Sequence, residues 1–276
     1  MTDAPIVDVV ELTKRFGERV AVDGVTFSVP AGGSLGIVGE SGSGKTTVAR
    51  MLVGLERPTA GRIVVCGNDR SAPAKPLRLR RARARELQIV FQDPYTTLDP
   101  RQTVASCLDE ILRQHRRELD ADARAGRVGE LAELVGLDER QRRAHPRRLS
   151  GGQRQRVAIA RALAADPRII VLDESVSALD VSIQAQILNL LADIREQTGV
   201  SYILISHDLA VVRQITDSCV VMQAGRIVER GPTPDVLDAP QAPYTQVLRA
   251  SVPRPGWTPR RRERKASAGA GPAQRP

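Results

Sequence analysis

The stretch Leu35-Gly36-Ile37-Val38-Gly39-Glu40-Ser41-Gly42-Ser43-Gly44-Lys45-Thr46-Thr47 decides the fold. Its apolar start, Leu35–Val38, reads as a strand that runs directly into a glycine loop of the form G-x-x-x-x-G-K-[ST]. Thr46–Leu55 then reads as a helix, stopped by Gly54-Leu55-Glu56-Arg57-Pro58. Strand, glycine loop and helix in this order make a phosphate cradle. Gly39, Gly42 and Gly44 supply backbone conformations that side chains would obstruct, so N–H groups can turn toward phosphate oxygens. The helix aims its positive N-terminal end at the same place. Lys45 is expected to reach the β- and γ-phosphates and the Thr46 hydroxyl to bind Mg²⁺. The chain uses 37 Arg and only 4 Lys, yet this position holds Lys. A compact ammonium suits such a site better than a broad guanidinium.

Outward from the loop, strands and helices alternate. Val7–Leu12, Val20–Val22, Val25–Val29 and Arg62–Val65 read as short strands before and after it. Arg78–Glu86 is a strongly basic, exposed helix, followed by a strand at Gln88–Phe91. From Pro94 to Arg148 strand signals vanish, and Val104–Arg117 and Arg124–Val135 look helical, which suggests a helical insert. Gln153–Ala165 is a helix ending before Pro167, and Ile169–Leu172 is a continuous apolar run, as in a strand buried on both faces. Ile183–Arg195 carries an apolar stripe, Val200–Ile205 is another buried strand, and Cys219–Met222 with Arg226–Glu229 flank a hairpin turn. The alternation implies an α/β core with a mainly parallel sheet.

Ile169-Ile170-Val171-Leu172-Asp173-Glu174 places two carboxylates at the C-terminal end of a buried strand. Open α/β sheets bind ligands at that end. Alone this would be an acidic turn. After a phosphate loop, Asp173 is expected to hold Mg²⁺ through water and Glu174 to act as general base toward the attacking water.

With these pieces the sequence resembles the ATP-binding-cassette ATPases. The resemblance rests on the phosphate loop, Gln92 in Phe91-Gln92-Asp93-Pro94, Leu149-Ser150-Gly151-Gly152-Gln153, Asp173-Glu174, Ser177-Ala178-Leu179-Asp180 and Ser206-His207-Asp208, in the family's order. It implies a P-loop NTPase with a RecA-like parallel-sheet core, an antiparallel β subdomain and an inserted helical subdomain. The cassette is expected over residues 5–245, with the helical subdomain at about 94–150. By the same resemblance Glu40, Ser41, Ser43 and Thr47 join the loop's nucleotide contacts, and Gln92 touches Mg²⁺ and the water. Ser150, Gly151, Gly152 and Gln153 contact the γ-phosphate held by an opposite subunit. Asp180 lies at the dimer seam, and His207 contacts the γ-phosphate and positions Glu174. Phe16 is placed to stack on adenine; a core role is its alternative.

The run Phe91–Arg101, Val176–Leu191, Ser206–Val212, and Ala242-Pro243-Tyr244-Thr245 with Val252-Pro253 look like the oligopeptide/dipeptide/nickel importer branch. The last piece resembles a C-terminal extension, expected over 232–254. Two features depart from the pattern. Ser175 stands where the family usually has Pro, and the C-terminal cysteine cluster of some branch members is missing, so no iron–sulfur cluster is expected. The implied function is an ATPase subunit powering import of oligopeptides, dipeptides or similar solutes. A nickel importer, an exporter subunit, or a soluble cassette acting on nucleic acid are the alternatives. The implied partners are membrane permease subunits, a second ATPase subunit (identical or homologous) and, through the complex, an extracytoplasmic solute-binding protein. The expected location is the cytoplasmic face of the cell membrane.

Bulk composition agrees. The 276 residues suit one large domain, and 41% are apolar but only 3% aromatic, so the core is built from aliphatic side chains. Cys66, Cys107 and Cys219 are too scattered for a disulfide framework or zinc site. Neither a signal peptide nor an apolar run of about 18 residues is visible. Of the net charge of +9, six units come from a Pro-, Gly- and Ala-rich end beginning at Arg254. The tail, 255–276, is expected to be disordered, and no nucleic-acid partner is expected.

Overall fold

The computed structural model describes residues 4–93, 97–177 and 179–251. Pro94–Thr96, Ala178, Val252-Pro253 and the basic tail lie outside the described residues.

The N-terminal strands β1 (Val7–Phe16) and β2 (Arg19–Val29) form an antiparallel sheet with β4 (Ala60–Val65) and β5 (Asn68–Asp69), ordered β2-β1-β4-β5. The sequence suggests two strands where β2 is one. Irregularities in its pairing with β1, between Val9 and Leu12 and again between Leu12 and Arg15, absorb the break near Gly24.

The second sheet has six strands, ordered β10-β9-β3-β8-β7-β6. They are β3 (Ser34–Val38), β6 (Leu87–Val90), β7 (Ile169–Asp173), β8 (Ser201–Ser206), β9 (Ser218–Gln223) and β10 (Arg226–Pro232). Five run parallel, and β10 joins the edge antiparallel through the hairpin. Every residue of β3, β7 and β8 is buried. That double burial explains why those segments read as continuous apolar runs.

Period-2 alternation divides the sheet between two cores. Ile169, Val171, Ile203 and Ile205 face one way, onto α1 (Lys45–Leu52) and the antiparallel sheet. Ile170, Leu172, Tyr202 and Leu204 face the other way, onto the helices. The buried Tyr202 hydroxyl donates to Leu191 O at 2.9 Å, which satisfies the polar end of an otherwise apolar layer.

The basic helix α2 (Leu77–Glu86) buries none of its residues. Among the described residues between β6 and β7 the chain is helical: α3 (Val104–His115), α4 (Ala121–Leu134), the single turn α5 (Glu139–Arg142) and α6 (Gly151–Leu163). Thr103, Asp120, Asp138 and Ser150 cap these helices through side-chain oxygens. The C-terminal third supplies α7 (Val181–Thr198), α8 (Leu209–Ile215), α9 (Thr233–Asp238) and α10 (Pro243–Ala250). No described helix is long and apolar enough to cross a membrane.

Candidate functional site

Because β3, β8, β7 and β6 are parallel neighbours, their C-terminal ends lie along one edge. Register fixes the level: Val38 pairs with Ser206, Ile205 with Asp173, and Leu172 with Val90. The next residues along each strand begin the glycine loop, His207, Glu174 and the Phe91-Gln92 pair. Four segments scattered through the sequence thus reach one rim, where open parallel sheets hold ligands.

The loop after β3 is held tightly. Gly39 has φ 152° and Gly44 has φ 107°, both left-handed-side conformations that favour glycine. A Cβ on Gly39 would come within 2.3 Å of Met222 O, and one on Gly44 within 2.5 Å of Ala21 O. Gly225 N–H donates to Ser43 O at 3.0 Å, bracing the loop from the β9–β10 hairpin. Gly44 caps α1 without any side-chain hydrogen bond, so the first N–H groups of that helix face the loop. We expect Gly39→Ala to destabilise the fold by about 1–3 kcal/mol from the strained backbone alone. The Met222 clash adds to that cost, and the denaturant midpoint reads the sum.

Lys45 is 3% exposed, and its ammonium donates to Gly39 O at 2.7 Å and Glu40 O at 2.8 Å. Burial lowers its pKa, while the carboxylates of Glu174, Asp173 and Glu40 pull it back up. Asp173 is also buried. Burial pushes its carboxyl pKa up and the charge on Glu174 adds to this; Arg50, a hydrogen bond from Thr46 and Lys45 act against both. Its Oδ1 is buried with no hydrogen-bond partner. A hard oxygen set of one aspartate and one threonine hydroxyl suits Mg²⁺, which usually completes its shell with phosphates and water. Among the described residues no group of three or more His, Cys, Asp or Glu side chains is placed to hold a metal.

Glu174 follows β7 with φ 48°, an uncommon conformation for a side-chain-bearing residue. Its N–H donates to Ile205 O at 2.9 Å, and its Oε1 lies 3.5 Å from Nδ1 of His207. Gln92 is exposed; its amide donates to Ser177 Oγ at 3.4 Å, and Ser177 Oγ donates to Glu174 O at 2.8 Å. Ser177 therefore links Gln92 to the acidic turn. Ser177 opens the Ser177–Asp180 motif, but nothing local in the sequence points to this link. Ser175 is 3% exposed and its hydroxyl has no partner. Arg50, whose charge acts on Asp173, gives no sequence signal beyond its place in the last turn of α1.

Ser150 caps α6, and Ser150 and Gln153 form a reciprocal capping box: Ser150 N to Gln153 Oε1 at 2.8 Å and Gln153 N to Ser150 Oγ at 3.3 Å. Gly151 and Gly152 therefore lie inside the helix, not before it. Gly151 sits against Leu179, and a Cβ on Gly152 would meet Ile183 Cγ2 at 2.5 Å. The start of α6 thus packs beside the start of α7. Ser150 is exposed there, as is Asp180, which precedes α7 without capping it through its side chain.

Phe16 is 47% exposed at the end of β1, so it is not a core residue. Lys14 Nζ stands 4.6 Å from its ring centroid and is held by Glu56 at 2.9 Å and Arg57 O at 2.8 Å. Ser41 and Gly42 are exposed, as is Thr46, and Thr47 is half-buried in the first turn of α1.

The family model for ABC transporters matches residues 22–177. The oligopeptide transport ATP-binding protein OppF of Lactococcus lactis (strain IL1403) is 43% identical over 246 residues, covering 89% of this chain and 76% of that protein. The dipeptide transport ATP-binding protein DppF of Haemophilus influenzae is 44% identical over 237 residues, covering 85% and 71%. A solved dimeric ATP-binding cassette in a post-hydrolysis state, bound to ADP and Pi, superposes with a TM-score of 0.73 at 29% identity, over 82% of this chain and 98% of that one.

Proposed function

Since this chain belongs to the ABC transporter family, we propose that it is the ATP-hydrolysing subunit of a membrane importer of oligopeptides or dipeptides. The observation that carries the mechanism is the shared rim of β3, β8, β7 and β6. There the loop and the α1 N-terminus bind phosphates, and Lys45, steadied at the Gly39 carbonyl, turns its remaining N–H donors to the β- and γ-phosphate oxygens. Glu174 accepts a proton from the attacking water. His207, at its carboxylate, orients it and contacts the γ-phosphate. Gln92 reports the state of the site through Ser177. Thr46, Asp173 and Gln92 would hold Mg²⁺, which supplies charge neutralisation on the phosphates when bound.

The exposed Ser150 and the adjoining Gly151–Gln153 lie at the start of α6, beside α7, where they would meet a nucleotide held by a second subunit. Asp180 lies close to them. The functional unit is then a closed pair, with each ATP between one subunit's loop and the other's Ser150 segment. Loss of the γ-phosphate removes that bridge and the pair reopens. Phe16, exposed and cation-backed, offers a face for the adenine.

The permease subunits supply the membrane spans, with this chain peripheral on their cytoplasmic face. The cassette is residues 5–245, the inserted helical part near 94–150 docks the permease, and 232–254 is the branch's extension. The names of the relatives support peptides as cargo. The test is reconstitution of the complex that copurifies with this chain from membranes. ATP-driven accumulation of a labelled dipeptide or oligopeptide in vesicles is expected. Nickel uptake, or net extrusion, without peptide uptake overturns the assignment.

A further inference from the structure

The C-terminal helix α10 reaches back to the glycine loop across most of the sequence. Tyr244, in its first turn, accepts a hydrogen bond from Glu40 N–H at its hydroxyl, at 3.1 Å. Glu40 N–H belongs to the same peptide plane as Gly39 C=O. A trans peptide points its N–H and C=O in opposite directions. On the opposite side, Gly39 O accepts from Lys45 Nζ at 2.7 Å. One planar unit is thus gripped from both sides, by a tyrosine hydroxyl and by the phosphate-binding lysine. The grip matters because Gly39, at φ 152°, has wide backbone freedom. Without it the peptide can rotate and carry the lysine's acceptor away.

Tyr244 is itself held. Its ring packs against the helical core, and neighbouring Thr245 is fully buried. The carboxylate of Glu229 on β10 accepts from Gln241 N–H at 2.7 Å and Ala242 N–H at 3.2 Å, which pins the chain just before α10. Pro243 then starts the helix with its φ already set.

We propose that Tyr244 is a positioning residue for Lys45: its hydroxyl, delivered by the Glu229-pinned start of α10, fixes the Gly39–Glu40 peptide that aligns the lysine for phosphate. This rests on the loop being the nucleotide site. The test is ATP titration of the full chain with a fluorescent nucleotide, alongside its melting temperature without nucleotide. Tyr244→Phe keeps the ring and is expected to weaken ATP binding about fivefold, with the nucleotide-free melting temperature lowered by no more than a few degrees. Glu229→Ala is expected to weaken binding in the same direction by a smaller factor. The double substitution is expected to weaken it no further than Tyr244→Phe alone, because both act through one peptide. Equal affinity in Tyr244→Phe and the unsubstituted chain, or fully additive losses, overturns the proposal while leaving the nucleotide site standing. Failure of the unsubstituted chain to bind ATP overturns both.

Discussion

Glu174→Gln lowers ATP turnover at least about a hundredfold while ATP binding is retained, the loss expected when a positioned general base is removed. Glutamine matches the size of glutamate, and the backbone bond from residue 174 to Ile205 O at 2.9 Å does not depend on the side chain. What disappears is the ability to take a proton. Lys45 and the loop, the proposed phosphate contacts, are untouched, so affinity is expected to persist. A second effect acts in the same direction. The charge on Glu174 is one of the influences that raise the pKa of Asp173. Removing it lets Asp173 ionise more readily and takes one negative charge away from where a polyanion enters. Phosphate release at saturating ATP, with size-exclusion detection of an ATP-trapped pair, checks both halves. Turnover at the normal rate would exclude Glu174 as the base.

Lys45→Ala weakens ATP binding by roughly 10- to 100-fold, the loss expected for charge-assisted hydrogen bonds. The side chain is 3% exposed and stands among the carbonyls of Gly39 and Glu40, with the charges of Glu174, Asp173 and Glu40 acting on it. Alanine removes a positive charge that acts on those carboxylates, just where a polyanion must enter. Repulsion then compounds the lost contacts. Lys45→Arg restores little, because a planar fork does not fit where a single nitrogen bonds two carbonyls at 2.7 and 2.8 Å. Titration of the three proteins with ATP ranks them; near-equal affinity for Lys45→Ala would remove the lysine from the phosphate site.

Much of this architecture is legible without coordinates, for identifiable reasons. Strands β3, β7 and β8 are buried on both faces, so their apolar runs are continuous and unmistakable. The loop is legible because its glycines answer a geometric demand that few other sequences meet. Where one residue serves two roles, reading is harder. The helix reads as beginning at Gln153, yet the capping box of Ser150 and Gln153 and the close approach of Ile183 place Gly151 and Gly152 in the first turn of α6. The short helix α8 carries apolar residues on too few turns to reveal a period, and it is absent from the sequence reading. Site residues at strand ends can be named from the sequence, but their couplings cannot. The Gln92–Ser177–Glu174 chain and the Tyr244–Glu40 bond join residues 85, 3 and 204 positions apart. No local pattern encodes the two distant pairs. The left-handed backbone of Glu174 is equally silent, since it arises from the turn that β7 must make beside β8.

The strand order also dictates a schedule for synthesis. β3 carries the loop and emerges early, but both strands that flank it in the sheet, β8 and β9, come from the last third of the chain. Until the ribosome has released residues beyond about 206 this strand has no hydrogen-bonding neighbour in its own sheet, and it gains its second only after about 223. The nascent chain therefore holds five apolar or small residues and a flexible glycine loop in waiting, a natural target for chaperones. Nucleotide competence therefore waits for β8 and β9, and products truncated before them are expected to lack it.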